Sequence, residues 1–165
     1  MNFKGMEFTE TRILNKRQKR DIIFLWNQEY PKKLQLPTLI DFESYLQGLG
    51  DKNHIILTDE TNTVRGWLMY FIRDGERWFA MLIHASQQGK GLGSKFLNLA
   101  KRRNKELNGW VIDNDKETKE NGHNYKSPIG FYQKNGFEIL DEIKLEKKEI
   151  KGIKVRWKKD RTIER

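Results

Sequence analysis

The sequence has no cysteine, only three prolines and only three histidines in 165 residues. Without cysteine there is no disulfide framework, no thiolate nucleophile and no cysteine-based zinc site, and the redox compartment is left open. His54, His84 and His123 are scattered and offer no paired ligand spacing, so no metal is expected. No run approaches the ~18 apolar residues of a membrane span, and Met1 to Gly5 lacks an apolar signal core. The expected setting is cytoplasmic, with no membrane partner. No repeat, low-complexity tract or Pro/Gly/Ser linker divides the chain, so residues 1–165 are expected to form one domain.

Apolar content is 36%, with Trp 5, Phe 9 and Tyr 5, which supports a packed core rather than disorder. Net charge is +9, and such a field attracts an anionic cofactor and a nucleic acid alike. The charge gathers near the ends, at Lys16 to Arg20, Lys147-Lys148 and Lys158 to Arg161, where a solvated surface explains it. No recognition-helix, zinc-finger or RNP-like pattern accompanies it, so a nucleic acid is the disfavoured partner.

The residues organise around Leu82 to Ser94, where an apolar strand enters a loop with glycine at 89, 91 and 93 and an amphipathic helix follows. Glycines let backbone N–H groups approach an oxyanion, and the helix N-terminus adds unpaired donors, so the stretch has the build of a phosphate or pyrophosphate cradle. The P-loop pattern fails, because Gly89-Lys90 is followed by Gly91. The dinucleotide fingerprint fails too, since its third glycine would fall on Ser94 or Phe96.

Upstream, Phe3 to Thr9 suggests an edge strand. Apolar spacing predicts a helix from Asn15 to about Gln28, ended by Tyr30-Pro31, and a second from its N-cap Thr38 through Leu49, closed by Gly50. A three-strand meander follows over His54 to Thr58, Val64 to Ile72 and Trp78 to His84, with Asp74-Gly75 as a hairpin turn. The run Trp67 to Ile72 is apolar on both parities, as in a central strand covered on both faces. The helix behind the glycine loop is expected to carry Phe96, Leu97, Leu99, Ala100 and Leu107 and to stop at Asn108-Gly109. Trp110 to Asp113 then reads as a short strand, completing a right-handed β-α-β unit, and Asn114 to Asn124 as a loop. Ser127 as N-cap and Pro128 at N1 start a short helix that Asn135-Gly136 stops. Phe137 to Glu146 and Ile150 to Lys158, joined around Lys151-Gly152, make a closing pair.

Two motifs together are specific. Gln88-Gly89-Lys90-Gly91-Leu92-Gly93 matches Q/R-x-x-G-x-G/A, and Phe131-Tyr132-Gln-Lys-Asn-Gly136-Phe137 follows after helix and strand. In this the chain resembles the GNAT superfamily of acyl-CoA-dependent N-acetyltransferases. The resemblance implies a single α/β domain of mixed α+β character: a mixed, mostly antiparallel twisted sheet of about six to seven strands flanked by about four helices. Acceptor-side helices would occupy about 15–50, an acyl-CoA-binding core about 54–137 and closing strands about 137–158.

The resemblance further implies acetyl transfer from acetyl-CoA to a primary amine by direct attack, without an acyl-enzyme, in keeping with the lack of cysteine. Gln88, Gly89, Lys90, Gly91, Leu92, Gly93 and Ser94 would hold the pyrophosphate. Ile83 and Ala85 would meet the pantetheine arm through main-chain bonds, with one N–H polarising the thioester. Tyr132 would act as general acid to the coenzyme A thiolate. Candidate bases are Glu29, Glu76 and His84, with a water relay as an equal choice. Trp26, Tyr30 and Tyr45 are candidate acceptor contacts, although aromatics at such spacing also serve as packing. The acceptor would be a small-molecule or peptide amine, and a homodimer is left open. Two positions depart from the family: its usual Asn and Ala around the tyrosine helix are Tyr125 and Pro128 here, and Asn114, Asn124 and Ser127 are the substitute contacts to the coenzyme arm. The alternative is an inactive coenzyme A-binding or basic nucleic-acid-binding module on the same fold.

Overall fold

The computed structural model describes residues 5–147 and 150–160. Its elements in chain order are β1 (Glu7–Thr11), α1 (Lys16–Glu29), α2 (Leu39–Gln47), β2 (Gly50–Thr58), β3 (Val64–Arg73), β4 (Glu76–Ile83), α3 (Leu92–Arg103), β5 (Glu106–Ile112), α4 (Ile129–Lys134), β6 (Glu138–Lys147) and β7 (Ile150–Lys158), with 3-10 turns at Lys32–Leu34 and Ala85–Gln87. The seven strands form one mixed sheet in the order β1-β2-β3-β4-β5-β7-β6. Every pairing is antiparallel except β4 with β5.

The sheet is covered on both faces. Leu68 and Tyr70 of β3 face α3 and α4 in one core with Phe96, Leu97 and Ala100. Trp67, Met69 and Phe71 of the same strand face α1 and α2 in a second core with Ile22, Leu25 and Phe42. Alternate residues of β3 thus enter different cores, which is why that stretch is apolar on both parities. Asp74 (φ 52°) and Gly75 (φ 75°) turn β3 into β4 with the paired left-handed backbone of a type I′ hairpin.

Both acceptor-side helices begin as the sequence indicates, with reciprocal capping boxes at Asn15/Gln18 and Thr38/Asp41. Other boundaries differ. The first strand lies at Glu7–Thr11 rather than Phe3 to Thr9, whose start falls outside the described residues. Helix α2 ends at Gly48, and Gly50 instead opens β2, opposite Ile72.

Helix α3 stops at Asn104, whose side chain donates to the Ala100 carbonyl at 2.8 Å, so Asn108-Gly109 does not end a helix but lies within β5. Gly109 is there for space: a Cβ would sit 2.8 Å from the Phe79 ring. Pro128 rather than Ser127 takes the N-cap of α4. Lys151-Gly152 is not a turn, because Gly152 pairs with both Leu145 and Ile112 inside β7; the β6–β7 connection falls outside the described residues. No helix of the described residues is long and apolar enough to cross a membrane.

Candidate active site

Strand register creates the site. The His84 N–H donates to the Arg65 carbonyl at 2.8 Å, so on the alternation of an antiparallel pair Met81 and Ile83 turn their main-chain groups toward β5. Among the described residues the only β4–β5 register pair is Trp78 with Asn108, and the strands part beyond it. The gap opens at their C-terminal ends, beside the glycine loop. Gln88 reaches back across this corner, its side-chain amide donating to the Ile83 carbonyl at 2.9 Å.

Gly89 (φ 76°) and Gly91 (φ 82°) hold left-handed backbone, and Gly91 is the N-cap of α3 without a side-chain cap. The first intrahelical donor is the Lys95 N–H, which meets the Gly91 carbonyl at 3.2 Å. The N–H groups of Leu92, Gly93 and Ser94 therefore have no intrahelical acceptor, and no acidic residue stands in that first turn. The third glycine does a different job. A Cβ on Gly93 would come within 2.7 Å of the Phe131 ring, so Gly93 lets α4 pack closely against α3.

That packing places Tyr132, which is 6% exposed and held by ring contacts to Phe79 (5.6 Å), Phe131 (5.2 Å) and Phe137 (5.3 Å). Tyr132, the glycine loop and the β4–β5 gap line one cleft of ≈ 1100 Å³. Its far end is aromatic: Trp26 meets Tyr30 at 4.8 Å and Tyr45 at 5.2 Å, edge to face, beside Phe71 and Trp110. Burial raises the phenol of Tyr132 well above its ordinary value, and the neighbouring Tyr125 adds to the shift. Burial likewise pushes Tyr45 and Tyr125 up to about 12 and Tyr30 well above 10. All four phenols stay protonated at neutral pH.

The candidate bases separate. Glu29 lines the cleft and is 8% exposed, its carboxylate accepting from the Ala85 N–H at 3.1 Å and pairing with Lys119 at 3.0 Å. Glu76 begins β4, roughly 23 Å along the strand from Ile83. It is bound to Lys154 (3.1 Å) and Arg156 (2.8 Å) and does not reach the cleft. His84 spends its Nδ1 on the Ser86 N–H (3.1 Å) and Oγ (2.8 Å) in the local turn and does not line the cleft.

Several coenzyme-contact candidates also lie elsewhere. The Ala85 N–H is taken by Glu29, which leaves Ile83 and Met81 to face the gap. Lys90 is exposed with its ammonium on Gln87. Asn114 closes a turn onto Lys116, Asn124 bridges Thr118, and the Ser127 hydroxyl donates to the Ile112 carbonyl. None of these five lines the cleft: side chains hold Ala85 and Lys90, and backbone groups hold Asn114, Asn124 and Ser127.

Sequence reasoning missed Lys119, Tyr125 and Arg73. Lys119 lay in a polar loop with no period to place it. Tyr125 was visible only as a departure from a pattern, and Arg73, at the end of β3 beside the Asp74-Gly75 turn, carries no local signal that sets it apart.

Unpaired backbone donors at the mouth of a parted strand pair, with a buried tyrosine inside, thus form one continuous cleft. The chain belongs to the acetyltransferase (GNAT) domain family, whose model matches residues 50–139. No curated protein sequence matches it. Among solved structures it is similar to the GNAT phosphinothricin acetyltransferase Pat of Sinorhizobium meliloti in complex with AcCoA, at TM-score 0.65 and 12% identity over 92% of this chain and 88% of that one. It is also similar to spermidine/spermine N-acetyltransferase SpeG from Vibrio cholerae (0.60, 14%, 97% and 96%). A third likeness is to a GCN5-related N-acetyltransferase from Kribbella flavida (0.58, 11%, 94% and 99%). At these identities the likeness is one of fold.

Proposed function

We propose that this chain transfers an acetyl group from acetyl-CoA to the primary amine of a small acceptor. The observation that carries the reading is the continuity of one cleft from the unpaired N–H groups of the α3 N-terminus, through the β4–β5 gap, to Tyr132 and the aromatic end. Residues of this chain fit coenzyme A: backbone donors at Gly89 to Ser94 suit its pyrophosphate, and main-chain groups of Met81 and Ile83 suit an amide-bearing arm. Bound acetyl-CoA supplies an activated acyl group, and the chain supplies position and protons. A main-chain N–H in the gap polarises the acyl carbonyl.

Glu29, the candidate base on the cleft wall, takes the proton of the attacking amine, directly or through one water. Tyr132 presents its phenolic proton to the departing thiolate. A phenol raised above 10 transfers a proton uphill to a thiolate whose acid titrates near 8.5, by about 2 kcal/mol or more, so hydrogen bonding is the larger part of its action.

Calorimetric titration of acetyl-CoA and coenzyme A, with thiol release over an amine panel, tests the reading. Wild type is expected to bind at micromolar strength. Gly91→Glu should abolish binding, since it puts a carboxylate and a strained left-handed residue where the anion sits. Tyr132→Phe should leave binding intact and lower kcat by about 10²-fold. Absence of acetyl-CoA binding by wild type would overturn it.

A further inference from the structure

The charges that line the cleft are unequally satisfied. Of its two carboxylates, Glu29 has the Ala85 N–H and Lys119, and Asp41 has the Thr38 N–H (3.0 Å) and hydroxyl (2.7 Å). Both carboxylates have their charge balanced or hydrogen-bonded within the fold, and Glu29 keeps lone pairs open to the cleft. Arg73, at the end of β3, also lines the cleft, and it is different. Its guanidinium lies over the faces of Trp78 (4.7 Å) and Phe71 (5.4 Å), and among the described residues no carboxylate lies within ion-pairing distance of it.

This is not for want of an acid nearby. Glu76 is the direct cross-strand partner of Arg73, yet its carboxylate points to Lys154 and Arg156. Other arginines of β3, β4 and β7 are each matched: Arg65 with Asp59 (2.8 Å), Arg77 with Asp51 (2.9 Å) and Arg156 with Glu76 (2.8 Å). Arg73 is thus a half-buried, pre-oriented cation, its planar group fixed on two rings and its donors left for something that enters the cleft. Lys126 and Lys147 line the cleft as well and add two further positive groups.

From these observations we infer that the acceptor is an anionic amine, whose carboxylate or phosphate is bound by Arg73 while its amine reaches the acyl group near Tyr132. The inference rests on the acetyltransferase reading above and names its substrate class. Spacing refines it. Arg73 stacks on Trp78, roughly 10 Å along β4 from Met81, whose main-chain groups face the gap in which the acyl arm would lie. The two ends of the acceptor are therefore several bonds apart, with an apolar middle against the aromatic walls. A polyamine would bring a second cation to an end of the cleft that already holds one.

The test uses the full-length protein with acetyl-CoA and a matched acceptor series: 4-aminobutyrate, 6-aminohexanoate, 8-aminooctanoate, n-hexylamine and spermidine. Thiol release is followed in wild type, Arg73→Gln and Arg73→Lys, and acetyl-CoA affinity is measured for each. The expected result is a lower KM for 6-aminohexanoate than for n-hexylamine. Arg73→Gln should raise the first about tenfold and leave the second unchanged, Arg73→Lys should recover part of the loss, and acetyl-CoA affinity should not move.

Equal KM for the acid and the plain amine, no change on Arg73→Gln, or preference for spermidine would overturn the inference alone. So would acetyl-CoA binding with no carboxylate-dependent turnover. Failure of wild type to bind acetyl-CoA would instead sink the acetyltransferase reading beneath it.

Discussion

His54 is 2% exposed, and its Nδ1 accepts the indole N–H of Trp67 at 3.0 Å, an arrangement that requires a neutral ring. Burial, with a smaller contribution from the charge of Lys52, lowers its pKa to about 4. The folded value is below the unfolded value of about 6.5, so the native state resists protonation. The stability this residue supports is complete above about pH 6.5 and is lost as pH falls toward 4, where the unfolded chain binds a proton that the folded one refuses. The shift corresponds to about 3 kcal/mol across that window. Urea midpoints between pH 4 and 7 should show a steep acid loss in wild type. His54→Gln, which keeps an acceptor for Trp67 without the titration, should flatten it. An equal slope in both proteins would contradict this account.

Helix α4 is six residues long, too short to be stable alone, and its position is set by what it packs on. The tightest point is Gly93 of α3 beneath the Phe131 ring. Gly93→Ala is expected to cost about 1–3 kcal/mol by overpacking and to lower kcat by shifting Tyr132, with a smaller change in acetyl-CoA affinity. Thermal melts with steady-state kinetics check it; unchanged kcat would show that α4 adjusts without moving the tyrosine.

This element also shows what could be read in the sequence. Tyr132 stood out only through the family resemblance of the Phe131 to Phe137 stretch, whereas the glycine spacing was legible because a left-handed loop and a helix start need particular residues at fixed positions. The capping boxes at Asn15 and Thr38 and the Asp74-Gly75 hairpin were legible for the same local reason. What was not legible depended on partners distant in sequence. Gly109 and Gly152 looked like helix and turn punctuation, yet they are strand residues that make room for Phe79 and the Val111 carbonyl. Glu76 and His84 had plausible positions for a base, and only the fold shows the cations and the turn that claim them.

Across the whole molecule, the segment between β5 and α4 ties the two ends of the cleft together. The Lys32 N–H donates to the Thr118 carbonyl at 2.7 Å, Lys33 pairs with Glu117 at 3.4 Å, and Gln35 donates to Glu120. The decisive link is Lys119 to Glu29, because Glu29 also receives the Ala85 N–H, joining helix α1, the end of β4 and this segment through one carboxylate. The Glu29 side chain is 7% exposed, so these two partners replace most of the water around its charge.

Lys119→Met strands that carboxylate with a single neutral donor and is expected to destabilise the protein by about 3–5 kcal/mol. Glu29→Gln/Lys119→Met, which removes both charges and keeps a side-chain oxygen for the Ala85 N–H, should recover most of the loss. Urea denaturation of the four proteins in the cycle, at constant m-value, measures the coupling. A single-variant loss below about 0.5 kcal/mol would mean that solvent screens the pair as it does a surface bridge, and that the segment is held by its backbone contacts alone.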